Sequence, residues 1–202
     1  MKKKLMTVLA LVLVIALSVA GTYAYLTSQD TVTNTFTVGN VSITMDEAAV
    51  NEYGQKLNDK GTVAVEGDTL ADRVDHNEYK LVPSHTYVKD PTIYVTQGSE
   101  QCYIFAKIDN GLGNASTLDI DSSKWTVVEP GVYMYNGVVD ARETAKDVVV
   151  FEHFTFTGAD PAAYETTEAN DVNITVTGYA VQADGMDGKT PAELWAIAKT
   201  AA

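Results

Sequence analysis

Apolar residues follow two different patterns along the chain, one continuous and one alternating. Residues 5–20 are apolar except for a threonine and a serine, whereas segments after residue 30 place apolar side chains mostly at every second position. A continuous apolar run favours a helix that enters a membrane, and period-two alternation between turn residues is typical of half-buried β-strands. The pattern therefore predicts an apolar leader followed by an all-β domain.

The strand pattern recurs eight to ten times, with a short hairpin expected around residues 62–65. The main segments are 31–38, 41–45, 79–82, 92–96, 101–109, 125–128, 132–135, 148–157 and 172–182. Segment 101–109 has apolar side chains on both faces, so this strand is expected at the centre of a sheet. Short strands at regular spacing, joined by turns, predict an antiparallel β-sandwich or jelly roll.

Two regions depart from the strand pattern. Residues 46–78 are polar and aperiodic and contain three glycines, so an irregular excursion is expected there. Near the C-terminus, Thr190 is followed by a proline and by Glu193, which is the signature of a capped helix start with a capping box. The apolar residues that follow predict a short C-terminal helix with one apolar face.

The N-terminal segment has the parts of an export signal. Three lysines at positions 2–4 precede the apolar run, and small residues, Gly21, Thr22 and Ala24, lie near a possible cut. The lysines stay on the cytoplasmic side while the apolar run enters the bilayer. We therefore expect cleavage between Ala24 and Tyr25, which leaves residues 25–202 as one secreted domain; an uncleaved signal anchor is the alternative. Contact with the membrane is expected only through this segment, before cleavage.

Charge and cysteine content narrow the set of partners. The formal net charge is −13, and removal of residues 1–24 takes away three more lysines. So acidic a chain repels nucleic acid and anionic membrane surfaces, and neither is expected as a partner. The single cysteine, Cys102, excludes an intrachain disulfide. Its place in an apolar strand predicts a buried side chain, with intermolecular pairing or a reactive thiol as the alternatives.

Common catalytic motifs do not occur in the sequence. The histidines, His76, His85 and His153, form no His-Glu-x-x-His motif, and there is neither a Gly-x-Ser-x-Gly elbow nor a phosphate-binding glycine loop. His153 is interpreted as an ordinary strand residue, and His76 and His85 are expected on the surface. We therefore predict no catalytic residue, no metal site and no enzymatic activity.

Calcium is the one cofactor that the acidic residues leave open. Asp119 and Asp121 form one pair of closely spaced carboxylates, and Asp184 and Asp187 form another. Carboxylate oxygens are ligands that Ca²⁺ prefers. Neither pair matches an EF-hand loop, and solvated loop acids account for both in so acidic a chain. No cofactor is therefore predicted.

Three N-terminal features occur together: the lysines at 2–4, the sequence Gly-Thr-Tyr-Ala-Tyr-Leu-Thr at 21–27, and a strand with Phe36, Gly39, Val41 and Ile43 at set spacing. These motifs resemble those of the TasA/camelysin family, whose signal peptides are cut by a dedicated SipW-type signal peptidase. Segments 81–91, 93–95 and 98–104 are also similar to family members from Gram-positive bacteria. Here Pro83-Ser84 stands where the family usually has Pro-Gly.

The resemblance implies a jelly-roll domain that assembles into extracellular fibres of a biofilm matrix. In the best-understood members the mature N-terminal strand leaves its own domain and completes the sheet of the next subunit. Some members are labelled metallopeptidases, but no matching ligand motif occurs here, so that activity is not carried over. The implied partners are further copies of the chain, a SipW-type signal peptidase during export, and other matrix proteins.

The residues themselves agree with assembly by strand donation. Segment 31–38 is uncharged and rich in threonine, with Val32, Phe36 and Val38 on one face. An unpaired strand with such a face can add to the sheet of a neighbour, and a head-to-tail contact of this kind produces filaments. The alternative is that the strand pairs within its own sheet. The leading hypothesis is thus a secreted, non-enzymatic fibre subunit, followed by a monomeric surface adhesion module and a camelysin-like metallopeptidase.

Overall fold

A computed structural model describes residues 40–160, 164 and 173–200. These residues all belong to the unit Gly39–Ala202. The predicted cleavage site, Ala24 and Tyr25, and the predicted assembly strand with Val32, Phe36 and Val38 lie outside the described residues. Within the described part of the chain, no helix is long and apolar enough to cross a membrane.

Antiparallel strands account for most of the regular structure in the described residues, and one short α-helix follows them there. The strands are β1 (Ile43–Asp46), β2 (Thr86–Val88), β3 (Thr92–Val95), β4 (Cys102–Asn110), β5 (Ser116–Leu118), β6 (Trp125–Glu129), β7 (Val132–Tyr135), β8 (Lys146–Val149), β9 (His153–Phe156) and β10 (Ile174–Gln182). A 3₁₀ turn spans Gly113–Ala115, and the helix α1 spans Pro191–Ala198. The predicted all-β fold with a short C-terminal helix is confirmed.

The strands form three antiparallel sheets. Their orders are β1-β3-β8, β10-β4-β7-β6 and β2-β9-β5. Strand β4 has a partner on each side, β10 over nine residue pairs and β7 over three. Its predicted central position is therefore confirmed. The strands predicted at 125–128 and 132–135 are β6 and β7, which pair as a hairpin with an irregularity between Val127 and Glu129.

The main core lies between the first two sheets, which pack face to face. Ile93 and Val95 of β3 and Cys102, Ile104 and Ala106 of β4 are all fully buried in one apolar cluster. The close approach of the sheets is visible at one glycine of β10. A Cβ atom at that position, residue 178, would lie 3.1 Å from the side chain of Ile93. A larger residue there would require the Ile93 side chain to shift by a few tenths of an ångström.

Helix α1 covers the outer face of the four-stranded sheet. Phe105 of β4 points away from the main core and packs with Leu194 and Trp195 in a second cluster. The helix begins as predicted: Thr190 accepts a hydrogen bond from the Glu193 backbone, and the Glu193 side chain accepts one from the Thr190 backbone. The apolar residues on both faces of β4 are thus explained by a sheet on one side and a helix on the other.

The strand predicted at residues 79–82 is wrong. The hydroxyl of Tyr87, which is fully buried, accepts the N–H of Val82 at 2.7 Å and donates to the carbonyl of Lys80 at 2.7 Å. The Tyr87 side chain therefore forms hydrogen bonds with backbone groups of Lys80 and Val82 that a neighbouring strand would otherwise bind. Segment 79–82 is irregular as a result.

The strand predicted at 148–157 is in fact two strands that belong to different sheets. Val150 and Phe151 are consecutive and both buried, which breaks the alternation expected of one strand. At the break, one carboxylate oxygen of Asp119 accepts the N–H groups of Glu152 and His153 at 2.9 and 2.8 Å. The chain crosses at this point from β8 in the first sheet to β9 in the third.

The polar excursion predicted at 46–78 is irregular, as expected, apart from the last residue of β1 and isolated bridges. The hairpin predicted around 62–65 is reduced to an isolated bridge between Leu57 and Val63. The turn between them is organised by Asn58, a buried residue whose side-chain oxygen accepts the N–H groups of Lys60 and Thr62. Polar side chains rather than strand pairing give this region its shape.

Candidate functional site

A groove of about 990 Å³ opens where β1 ends and β10 begins. We group its lining residues by character into an apolar wall, which includes Met45, Leu81, Ile174 and Val176, and a polar wall, which includes Glu47, Asn77, Tyr79 and Lys89. The irregular segment 75–81 forms one side of the opening. A concave surface of this size, with an apolar and a polar wall, is the principal candidate site in the described part of the chain.

The groove adjoins an open edge of the four-stranded sheet. Strand β10 pairs with β4 on one side, where the carbonyl of Asn173 accepts from Gly111 and the N–H of Ala183 donates to Gln101. Antiparallel pairing alternates, so the backbone groups of Val176 and the other even-numbered residues of β10 point away from β4. No strand among the described residues pairs with that side. The groove therefore lies beside backbone donors and acceptors that no described strand pairs.

The polar wall is built around Glu47, which is only 3% exposed although it is an acid. Its Oε2 lies 2.6 Å from the Nζ of Lys89, and its Oε1 accepts a hydrogen bond from the Nδ2 of Asn77 at 2.9 Å. The Asn77 amide also donates to the carbonyl of Ala48 and accepts the N–H of Val50, each at 2.9 Å. Every polar atom of this asparagine is thus bound, which fixes its amide plane.

Tyr79 closes the polar wall on one side. Its ring centroid lies 5.8 Å from the Nζ of Lys89, and its hydroxyl donates to the carbonyl of Val88 at 3.1 Å. Burial, together with the negative charges of Glu47 and Asp90, raises the pKa of the Tyr79 hydroxyl far above its ordinary value. The phenol therefore stays neutral and acts as a hydrogen-bond donor.

Arg73 ties the excursion to the rim of the groove. Its guanidinium binds the carboxylates of Asp46 and Asp90 and, at 3.0 Å, the hydroxyl of Thr92. Partial burial lowers the pKa of Arg73, but the two acids outweigh it, so the net shift is upward. The arginine remains charged and holds the end of β1 against the start of β3.

The three histidines occupy separate environments. The Nδ1 of His153 lies 2.8 Å from Asp119, and the Nε2 of His85 lies 2.9 Å from the carbonyl of Tyr53. His85 also packs edge-on against Tyr87, so it is half-buried rather than on the surface as expected. His76 is exposed, as expected, and lines the groove. The structure does not bring the three imidazoles together.

Of the four acids considered for calcium, Asp119 and Asp121 make local hydrogen bonds. Asp119 binds His153 through its second oxygen, and Asp121 accepts the N–H and the hydroxyl of Ser123 at 2.9 and 2.6 Å. Asp184 and Asp187 lie in the turn region before α1. Among the residues that the structure describes, no group of three or more histidine, cysteine, aspartate or glutamate residues could hold a metal ion.

Cys102 is fully buried in the main core, as predicted. Desolvation raises the pKa of its thiol to about 11. The thiolate is the reactive form of cysteine, so this environment keeps the side chain unreactive in the folded protein.

The groove itself was not predictable from the sequence. The polar wall combines residues that lie far apart in the chain, namely Glu47, Asn77 and Lys89. Two of them, Glu47 and Asn77, belong to the polar excursion, where an acid or an amide is not distinctive. Only burial distinguishes Glu47 from the many other acids, and burial has no local signal in an aperiodic segment.

Residues 1–66 match a protein-family model described as camelysin metallo-endopeptidase. No curated protein matches the chain, and no solved structure matches it. The description of the family implies a metal ion, but the described residues present no ligand set that fits one. The match confirms, over residues 1–66, the resemblance to the TasA/camelysin family that the sequence predicts.

Proposed function

We propose that the protein is a secreted, non-enzymatic structural subunit of a Gram-positive cell surface that forms fibres by strand donation. Residues 31–38 of one copy would occupy the groove beside β10 of the next copy. The observation that carries the proposal is the open edge of β10, which adjoins a groove with an apolar wall. An edge of this kind recruits an added strand through backbone hydrogen bonds, while side-chain pockets supply specificity.

The composition of the donated segment suits this groove. Val32, Phe36 and Val38 share one face, which would pack on the apolar wall near Val176, and the intervening threonines would face outward. Eight residues in extended conformation span roughly 26 Å, enough to run along most of β10. The segment carries no charge, so it enters the groove without the cost of desolvating an ionised group.

The chain enters the domain at the end of β1 that is remote from the groove. The carbonyl of Asn40 accepts the N–H of Glu100, and Ser42 binds Thr96 and Ser99, so the chain is anchored at the start of β1. The groove lies at the opposite end of that strand, next to Met45 and Glu47. A segment that precedes Asn40 therefore starts from the far end of the sandwich. Head-to-tail contacts of this kind propagate into filaments.

The export signal supplies the second part of the proposal. Cleavage after Ala24 by a SipW-type signal peptidase would free the N-terminal segment outside the cell, so that processing and assembly are coupled. Other copies of the chain are the main partners, with other matrix proteins as further ones. The match of residues 1–66 to the family model supports this assignment, because those residues include the signal and the donated segment.

Removal of the donated segment tests the proposal. A variant that begins at Ser42 keeps every strand of the described domain, helix α1 and the groove, loses Asn40 and Val41, and has no strand to donate. We expect it to stay folded and monomeric by sedimentation, whereas the processed protein forms fibres visible by electron microscopy. Added to the processed protein, the variant should shorten the fibres because it accepts a strand and donates none. Fibres formed by the variant alone would overturn the proposal.

Two other outcomes identify the competing functions. Processed protein that remains monomeric at high concentration and across pH would favour a surface adhesion module. Chelator-sensitive cleavage of casein that is lost on His153→Ala would favour the metallopeptidase.

A further inference from the structure

The polar wall of the groove contains one hydrogen-bonded cluster of three side chains: the amine of Lys89, the carboxylate of Glu47 and the carboxamide of Asn77. We propose that Lys89 and Asn77 join spontaneously through an isopeptide bond, with Glu47 as the proton carrier. The product is a covalent amide between Nζ of Lys89 and Cγ of Asn77, together with ammonia. This inference is independent of the proposed assembly function.

The carboxylate of Glu47 holds both reacting groups. One oxygen binds the Lys89 nitrogen at 2.6 Å, and the other binds the Asn77 amide nitrogen at 2.9 Å. The side chains of Glu47 and Lys89 are only 4% and 11% exposed, so water does not compete strongly for either. Groups held together in this way react as neighbours, without the entropic cost of an encounter.

The electrophile is prepared by the backbone. The N–H of Val50 donates to the Oδ1 of Asn77 at 2.9 Å, where negative charge develops when a nucleophile attacks Cγ. A fixed backbone donor at that oxygen stabilises the tetrahedral intermediate in the manner of an oxyanion hole. Bonds to Ala48 and Glu47 hold the leaving nitrogen, so both ends of the amide are fixed.

The step balances without any further reactant. Glu47 accepts one proton from the Lys89 ammonium, and the neutral Nζ forms a bond to Cγ of Asn77. A second proton moves from Nζ through the carboxyl group to Nδ2, the Cγ–Nδ2 bond breaks, and ammonia leaves. The proton retained by Glu47 then departs with the ammonia as ammonium. No electron is transferred, and neither a metal ion nor a cofactor takes part.

The proposed bond would close the segment between residues 77 and 89, which includes the irregular stretch at 79–82 and strand β2. With one cysteine, the chain cannot make an intrachain disulfide. A crosslink restricts the unfolded chain in the same way as a disulfide does, and an amide is also resistant to reduction. The link would thus fix one side of the groove covalently.

Mass spectrometry of the processed, exported protein tests the inference. After N-terminal sequencing, we expect the intact mass under denaturing conditions to be lower than the sequence mass by one molecule of ammonia. Trypsin should release peptide 74–80 joined to peptide 81–107, because the modified Lys89 no longer permits cleavage. If the wild-type protein has its full sequence mass, the proposal is overturned, and Lys89 and Glu47 form only an ion pair.

Variants locate the reaction and exclude other sources of ammonia loss. Succinimide formation at Asn110-Gly111 or Asn136-Gly137 also releases ammonia, but it would persist in Lys89→Arg and would hydrolyse in mild alkali. We expect Lys89→Arg and Glu47→Gln to have their full sequence masses. Asn77→Asp should lose water and reach the same final mass as the linked wild type. Ammonia loss that persists in Lys89→Arg overturns the assignment of the bond to Lys89. If a variant does not fold, the mass of the wild-type protein alone tests whether the bond forms.

Discussion

Trp195 and Glu129 meet across 66 residues of chain, and the indole N–H donates to the carboxylate over 2.8 Å. The indole is 4% exposed and packs against Phe105 and Tyr179, with ring centroids 5.6 and 4.9 Å away. Helix α1 is thereby joined both to the face of the four-stranded sheet and to its edge strand β6. The helix is therefore expected to contribute to the stability of the sheet.

Replacement of Trp195 should measure that contribution. Trp195→Ala leaves a cavity over Phe105, and we expect a loss of about 3–5 kcal/mol in the free energy of unfolding. Trp195→Phe keeps most of the apolar contact but removes the hydrogen bond, for which about 1 kcal/mol is expected. Urea unfolding followed by circular dichroism gives both values.

The acceptor provides the matched control. Glu129→Gln retains an oxygen that can accept from the indole, so it should cost less than Glu129→Ala. Equal unfolding free energies for Trp195→Ala and the wild type would contradict the inferred role of the helix.

Asp119 should make stability depend on pH in acid. Burial raises the pKa of this carboxyl, but the backbone N–H of His153, its ring and the N–H of Glu152 outweigh burial, so the net shift is downward. Because its pKa is lower in the folded protein, the ionised Asp119 carboxylate stabilises the fold at pH values above about 4, the pKa of an aspartate in the unfolded chain. This stabilisation is lost as the pH falls through the pKa of the folded protein. We therefore expect Asp119→Asn to reduce stability at neutral pH and to approach the wild type in acid.

The size of this effect should be modest, because the Asp119 side chain is 45% exposed. Thermal unfolding at a series of pH values measures the difference between the variant and the wild type. Asp147→Asn, which removes the same charge from an exposed position in β8, is the control. A difference for Asp119→Asn that stays constant down to strong acid would contradict the assignment.

Cys102 should react with thiol reagents only when the protein unfolds. Its side chain is fully buried, and burial raises its pKa to about 11, so the thiolate is scarce and inaccessible at neutral pH. We expect labelling to be slow in buffer and fast in urea. An exposed thiol, Ser122→Cys in a Cys102→Ala background, should react quickly in both. Rapid labelling of native Cys102 would favour the reactive thiol considered from the sequence.

The features that could be predicted are those whose signal is local. Strands β4 and β10 are nine-residue segments rich in β-branched and aromatic residues, and the start of α1 is indicated by Thr190, the proline that follows it and Glu193. Each of these signals is local, because strand preference and helix capping depend on neighbours in the sequence. The fold class could therefore be predicted from strand-forming segments separated by turns.

The features that could not be predicted depend on distant side chains. The Tyr87 hydroxyl prevents residues 79–82 from forming a strand, and nothing within those four residues signals it. Likewise, Glu47 and Lys89 meet across 42 residues, in a region without periodicity. The groove exists because such contacts hold the excursion in place, so its position depends on tertiary structure.

The apolar wall of the groove gives a prediction for assembly. Leu81 lines the groove and is half-buried, whereas the side chain of its neighbour Val82 is 37% exposed and is not part of the lining. An arginine at Leu81 would place a charge where the donated strand packs, so Leu81→Arg should prevent fibre formation. Val82→Arg should not. Electron microscopy measures both, and circular dichroism verifies that both variants fold. Normal fibres from Leu81→Arg would contradict this location of the acceptor site.

The alternation of the donated strand gives the complementary prediction. If Phe36 packs in the groove of the next copy, Phe36→Asp buries a carboxylate and should abolish fibres, while Thr35→Asp on the opposite face should leave them intact. Both changes lie outside the described domain, so its unfolding free energy should be the same in both variants. Mixing the variants with wild-type protein provides a second test. Phe36→Asp retains its own groove, so it should accept a strand, donate none and shorten wild-type fibres. Equal fibre yields from the two variants would show that the face of the strand does not matter, and strand donation into an apolar groove would then be wrong.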